Sequence, residues 1–334
     1  MKKYFFLLKT ITFRKIWNFI ILHLSYYTSI LLKTPIIFGL PLTISIEPTN
    51  YCNLKCPECP SGQKLLDRER GYINLSLTKK LIDEIGNSQI SILFYFQGEP
   101  FLNNELLKSV SYARTKNLYT ITSTNGHYIN NENVEGIIKS GLSEIIISLD
   151  GTTQEVYEKY RIGGNLNKVI KSIELLAATK KKLKVQTPFI TIQFLITSAN
   201  EHQVDEIKKI YKRIGANYLA LKTTQIYNFE NGNSLIPKNL NYSRYKKNKS
   251  NKYEIKSKLK NRCYRLWRTT VLCWDGEIVP CCFDKDVEFP LGNLTEHLFA
   301  NIWRNKLYKS FRNRILQSRK SQAICLNCTE GLNA

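Results

Sequence analysis

From Leu42 onward, short runs of β-branched and aromatic residues alternate with longer stretches whose apolar side chains recur at helical spacing. The runs predict strands over 42–48, 91–97, 119–124, 143–149, 189–197 and 217–222. The stretches between them predict helices over 77–87, 103–117, 131–141, 165–182 and 202–214; Leu106, Val110 and Ala113 share one face of the second. Alternating β and α elements give parallel strands joined by crossover helices, so the expected fold is α/β, a partial (β/α)6 TIM-like barrel. The pattern lapses from 224 to 262, where Asn, Ser and Lys dominate and Arg244 to Arg262 sets nine basic side chains against Glu254. A linker or exposed arm is expected there. Beyond it, Thr270 to Pro280 reads as strand, turn and strand around Asp275-Gly276.

Before Leu42 the chain looks different. Residues 1–46 hold no Asp or Glu but carry Lys2, Lys3, Lys9, Arg14, Lys15 and Lys33 among apolar and aromatic residues. Such a segment suits either a membrane surface or a basic helix packed on the domain. Asn18, His23, Ser25, Thr28 and Ser29 interrupt the uncharged run from Ile16 to Leu32, so a spanning helix is not expected. No secretory signal is evident. The rest of the composition is globular, with 43% hydrophobic and 23% charged residues, which excludes a disordered chain. The net charge of +22 either favours anionic partners or reflects a codon bias toward A and T, which also raises Asn and Ile.

Nine cysteines in 334 residues fall into two groups separated by 203 cysteine-free residues, which is not a disulfide framework. Cys52, Cys56 and Cys59 follow the first predicted strand, on a loop at its carboxyl end, where β/α barrels place their chemistry. By composition alone this three-cysteine spacing arises about 0.7% of the time, so it carries information. Soft thiolates select zinc or iron-sulfur clusters, and no fourth local ligand completes a zinc site. Three thiolates suit a cluster with one open iron.

The stretch Glu47-Pro-Thr-Asn-Tyr-Cys52-Asn-Leu-Lys-Cys56-Pro-Glu-Cys59 resembles the signature of the radical S-adenosylmethionine (radical SAM) superfamily, and the resemblance runs from residue 42 to about 225. It implies a 4Fe-4S cluster on Cys52, Cys56 and Cys59, with S-adenosylmethionine on the fourth iron and cleaved reductively to a 5'-deoxyadenosyl radical. Gln97-Gly98-Glu99-Pro100 resembles the family's glycine-rich motif that meets the methionine amino group, with Gln97 in place of its first glycine. Asn125, in Ser123-Thr124-Asn125-Gly126, and Ser148, in Ser148-Leu149-Asp150-Gly151, match further family marks at strand ends. By the same resemblance Gly98, Glu99, Asn125, Ser148 and Arg161 bind cofactor, with Arg161 offering its fork to the cofactor carboxylate. Glu58 stands where family members often carry an aromatic residue.

The tail resembles the SPASM and shorter twitch domains of the same enzymes through Cys263, Trp267, Asp275-Gly276, Pro280-Cys281-Cys282, Leu291-Gly292-Asn293, Ile302-Trp303 and Cys325-x-x-Cys328. That implies one auxiliary 4Fe-4S cluster on Cys263, Cys281, Cys325 and Cys328. Cys282 remains an alternative to Cys281, a zinc tetrahedron an alternative to the cluster, and Cys273 reads as a buried free thiol.

The expected domains are a basic, aromatic extension over 1–38, a radical SAM core over 39–225, a basic linker over 226–262 and a SPASM/twitch domain over 263–334. The expected function is a radical SAM oxidoreductase or maturase acting on a small molecule, glycan or peptide, with a catalytic base that the sequence does not select. Family members act on peptides and on small alcohols. The reductant is expected to be a flavodoxin or ferredoxin, and the location cytoplasmic, with peripheral contact at the inner membrane face. Nucleic acid, suggested by a basic run over 244–268 interleaved with Tyr245, Tyr253, Tyr264 and Trp267, is a competing partner. A non-catalytic iron-sulfur electron carrier is a third reading.

Overall fold

The computed structural model describes residues 2–328; Met1 and residues 329–334, the last part of the expected cysteine-rich domain, lie outside the described residues. Among the described residues there are ten strands: β1 Thr43–Ile46, β2 Ser91–Phe94, β3 Tyr119–Thr124, β4 Glu144–Ser148, β5 Phe189–Ile196, β6 Tyr218–Thr223, β7 Tyr245–Lys247, β8 Tyr253–Ile255, β9 Thr269–Leu272 and β10 Ile278–Val279. All but β7 and β8 form one sheet in the order β10-β9-β1-β2-β3-β4-β5-β6. The helices Leu75–Ile85, Leu106–Thr115, Val134–Lys139, Leu166–Lys182 and Val204–Ile210 occur where the helical periodicity predicts them.

Local chemistry explains these elements. In β5, Ile190, Ile192, Phe194 and Ile196 are buried at every second position, the signature of a pleated strand. The helix Leu166–Lys182 buries Val169, Ile173 and Leu176 on one face. Its first turn is closed by Asn165, whose side-chain oxygen accepts the Lys168 N–H at 2.9 Å. Asn74 does the same for Leu75–Ile85, accepting from Leu77 at 2.8 Å.

The chain folds as two compact units. One holds the residues up to Tyr51, Leu66–Ile121 and those from Leu259 on; the other holds Cys52–Leu65 and Thr122–Lys258. In the first unit the expected strand-turn-strand is the antiparallel pair β9 and β10. β9 also lies parallel to β1, with Ile44 opposite Thr270 and Ile46 opposite Leu272. The cysteine-rich tail therefore extends the sheet instead of standing beside it. In the second unit the stretch expected as a linker carries the β7–β8 hairpin. There Tyr245 is buried, stacks on Phe229 at 4.4 Å between ring centroids, and accepts the Ile226 N–H at 2.8 Å. Trp267, in the first unit, is buried edge-on to Tyr26. Two of the four aromatics in the basic run thus serve packing and offer no ring to a base.

In the first unit the helix Phe13–Leu32 is fastened by polar side chains. Asn18 donates to the Leu40 and Ser88 carbonyls, both at 3.0 Å, and accepts the Leu40 N–H at 2.9 Å. Lys15 is buried, and its ammonium donates to the carbonyls of Thr10 at 2.9 Å and Asn117 at 2.7 Å. Burial pulls its pKa down to about 8, whereas an unfolded lysine titrates near ~10.4. Between those values the unfolded chain binds the extra proton, so stability rises with pH. The thermal midpoint of the wild type is expected to gain on that of Lys15→Met as pH is raised from about 8 to about 10. Melting curves of the two proteins across that range check it.

Candidate iron-sulfur and cofactor site

The second unit contains the three-cysteine loop. Leu54 anchors it: with Cys56 and Tyr160 it forms a small buried cluster, against which Cys52, Cys59, Leu195 and Leu235 pack. Cys56 is buried, and Cys52 and Cys59 are half-buried. The Cys59 N–H donates to the Cys56 carbonyl at 3.1 Å, and Cys59 leads into the short helix Pro60–Gln63. Gln63 closes the loop, its side-chain amide donating to the carbonyls of Lys55 at 2.7 Å and Cys56 at 3.0 Å. A Cβ on Gly62 would come within 2.9 Å of the Cys56 nitrogen, so only glycine lets the chain pass so close.

Arg161 lies beside this loop. Its Nε donates to Asp150 Oδ2 at 2.5 Å, and its Nη1 approaches Cys56 Sγ at 3.7 Å. Asp150 is fully buried, and its other oxygen accepts the Leu195 N–H at 2.6 Å. Burial pushes the Cys56 thiol pKa up, and the Arg161 charge pulls against that shift. Asn125 donates to Asn53 of the cysteine loop at 2.8 Å and accepts the His127 N–H at 3.0 Å. His127 Nε2 in turn accepts the Asn165 N–H at 2.8 Å, which leaves the ring proton on Nδ1, facing Asn125. Ser148 ends β4, buried and in register with Gln193 of β5. Glu58 accepts the Tyr227 N–H at 2.9 Å, so it ties two loops together where an aromatic would stack.

Gly98 and Glu99 belong to the first unit. Gly98 has φ +72°, and a Cβ there would collide with the carbonyls of Thr49 and Tyr51. The Glu99 N–H donates to the Tyr51 carbonyl at 2.7 Å, and its buried carboxylate accepts the Phe101 N–H at 3.2 Å. This part of the motif is therefore a tight turn that requires glycine at 98 and tolerates glutamine at 97.

The first unit also contains the tail thiols. Cys263, Cys281, Cys325 and Cys328 are all buried, and Cys282 is half-buried. Cys281 lies within electrostatic reach of Cys263 and Cys328. Arg319 lies within reach of Cys263, Cys325 and Cys328, and its Nη2 donates to Cys328 Sγ at 3.3 Å. Cys282 instead receives Arg265 Nη1 at 3.4 Å. Burial pushes the Cys281 thiol pKa well up and that of Cys325 to about 11. Cys273 stands apart, buried between Val271 and Val279. Sequence reasoning gave no role to Asp150, His127, Arg265 or Arg319; Asp150 lay in the Ser148–Gly151 stretch, of which only Ser148 was given a role, and the others had no local signal.

Residues 46–214 match the family model described as the radical SAM superfamily, and residues 263–329 match that of an iron-sulfur cluster-binding domain, SPASM. The chain belongs to the radical SAM superfamily. It is 26% identical over 202 residues to the PqqA peptide cyclase of Bradyrhizobium diazoefficiens, covering 60% of this chain and 51% of that one. The chain spans about half the length of curated relatives such as this one. Its fold is similar to that of Streptococcus suis SuiB bound to S-adenosylmethionine, with a TM-score of 0.64 at 16% identity, over 83% of this chain and 68% of that one. BtrN in complex with AdoMet and 2-DOIA gives a TM-score of 0.56 at 20% identity, over 88% of this chain and 95% of that one.

Radical SAM domains bind a 4Fe-4S cluster with S-adenosylmethionine, SPASM domains bind auxiliary clusters, and both thiol groups of this radical SAM chain fit such groups. Among the described residues no three His, Cys, Asp or Glu side chains gather around a single-ion position. A cluster does not require that, because its thiolates bind separate irons. Each group also sets a guanidinium beside a sulfur, at Cys56 and at Cys328. Asp150→Ala would leave Arg161 as an uncompensated buried charge, which costs about 3 kcal/mol. Urea unfolding is expected to show that loss, and Asp150→Ala/Arg161→Met is expected to recover part of it.

Proposed function

We propose that this protein is a radical SAM enzyme that oxidises or otherwise modifies a substrate at an unactivated C–H bond. The observation that carries the reading is the cysteine loop, with Cys56 buried against the Asp150–Arg161 pair while Cys52 and Cys59 remain half-buried. When bound, the 4Fe-4S cluster and S-adenosylmethionine supply a 5'-deoxyadenosyl radical that takes a hydrogen atom from the substrate. Cys52, Cys56 and Cys59 hold that cluster. Gly98 and Glu99 present backbone to the cofactor, Asn125 and Ser148 orient it, and Arg161 places positive charge beside it. Cys263, Cys281, Cys325 and Cys328 hold one auxiliary cluster with all four positions filled, which suits it to accept an electron instead of binding substrate.

Anaerobic reconstitution with iron and sulfide, followed by reduction and chromatography, tests the first half. Wild type is expected to release 5'-deoxyadenosine from S-adenosylmethionine, and Cys56→Ala to release none. Iron-replete wild type that binds S-adenosylmethionine and never cleaves it, with or without candidate substrates, would leave the protein an electron carrier. The substrate belongs among peptides, glycans and small molecules; the similarity to a peptide cyclase supports the peptide class. Deuterium transfer from a labelled candidate into 5'-deoxyadenosine identifies it.

The auxiliary ligand set has its own test. Cys281→Ala is expected to lower bound iron by about four per chain and to abolish the auxiliary signal in electron paramagnetic resonance. Cys282→Ala is expected to keep both.

A further inference from the structure

The helix Phe13–Leu32 reverses the usual amphipathic arrangement. Its buried stripe combines two apolar residues, Leu22 and Tyr26, the latter resting on Trp267, with Lys15, Asn18, Ser25 and Ser29, which spend their polar atoms on hydrogen bonds to backbone. Its opposite stripe is apolar and exposed: Phe13, Trp17, Ile20, Leu24, Tyr27 and Leu31 follow one another at alternating spacings of four and three. Phe13 is 82% exposed and Leu31 80%, so among the described residues nothing covers the two ends of this stripe. Phe5, Leu8 and Phe38 are exposed as well. A continuous patch of this kind marks an interaction surface.

Charge identifies the partner. Residues 1–46 contain no acidic side chain, and the exposed Lys9, Arg14 and Lys33 flank the stripe. A second copy packed on this face would bring like charges together, and residues 1–46 supply no carboxylate to pair them. An anionic lipid surface supplies both an apolar interior and negative headgroups, and tryptophan and tyrosine favour that interface. No helix among the described residues is long and apolar enough to cross a membrane. The polar inner stripe also holds this helix flat on the protein.

We propose that the outer face of this helix docks the protein in the plane of an anionic bilayer, with Trp17, Ile20 and Leu24 at the acyl boundary and Lys9, Arg14 and Lys33 against the headgroups. The full chain, sedimented with vesicles of phosphatidylcholine alone or mixed with phosphatidylglycerol, tests it. Binding is expected to the mixed vesicles, weaker to the neutral ones, and to fall with added salt. Ile20→Glu/Leu24→Glu is expected to bind about tenfold or more weakly. Its circular dichroism should be unchanged, because both side chains point away from the protein. Arg14→Glu/Lys33→Glu, which leaves the apolar face intact, is expected to lose only the preference for anionic vesicles. Wild type that stays in the supernatant, or an Ile20→Glu/Leu24→Glu protein that binds as wild type does, would overturn the proposal. A wild-type dimer that the same double variant splits, without vesicle binding, would assign the face to a second copy instead.

Discussion

The second unit is organised around one buried carboxylate. Removed from water, Asp150 must be fully satisfied or neutralised, and the end of β4 provides what it needs. Arg161 offers its Nε, and Leu195 in β5 offers a backbone N–H. Asn200 then bridges the Asp150 and Leu195 carbonyls, so the ends of β4 and β5 are fixed with respect to each other. Because Asp150 occupies Nε, the rest of the Arg161 guanidinium is turned toward Cys56. The position of the cysteine loop follows from that pair and from Leu54 against Tyr160, and with it follows the electrostatic setting of the thiol. Burial alone would keep Cys56 protonated; the adjacent cation and a bound metal favour the thiolate.

The two thiol groups solve the same problem with different exposure. Cys52 and Cys59 stay half-buried beside a buried Cys56, as a site needs if a small cofactor is to approach it. The four tail thiols are all buried, and the nearest guanidinium is itself nearly inaccessible, with Arg319 2% exposed. Such a site suits a group that exchanges electrons with its surroundings and no atoms. Hydrogen bonds to cluster sulfurs and burial are the levers that set a cluster's potential. Arg319 applies both at Cys328. Arg265, on Cys282, applies the first to the neighbouring thiol, which separates the two adjacent cysteines by their surroundings in a way that their sequence positions do not.

How much of this the sequence revealed depended on the range of each interaction. The six core strands and their helices were legible because period-two burial in β5 and period-3.6 burial in Leu166–Lys182 are local properties. The parallel partnership of β1 with β9 was not legible, since Ile44 and Thr270 meet across more than two hundred residues and neither carries a mark of the other. The stretch expected as a linker shows a related limit. Its lysines describe a solvated surface, while the structure there depends on Tyr245, Phe229 and Ile226 packing beneath it. Among the residues expected to bind cofactor, Gly98, Asn125 and Ser148 stood out because they sit in motifs. Asp150 sat in one too, but an Asp-Gly pair reads as a turn until the guanidinium beside it is seen.

The helix Phe13–Leu32 shows why periodicity alone does not say which face is inside. Sequence reading left two alternatives, a helix packed on the domain and a helix suited to a membrane surface, as though one excluded the other. The structure removes the conflict, because three of the five polar residues that ruled out a spanning helix, Asn18, Ser25 and Ser29, are among those that pack. Asn18, Ser25 and Ser29 find carbonyl and N–H partners in the segment Ile36–Leu40 and at Ser88, so burying them is not costly. Packing through these polar contacts, with Leu22 and Tyr26, leaves the apolar stripe exposed. An exposed row of large side chains is a standing liability for aggregation unless something covers it, and its basic margins determine what can.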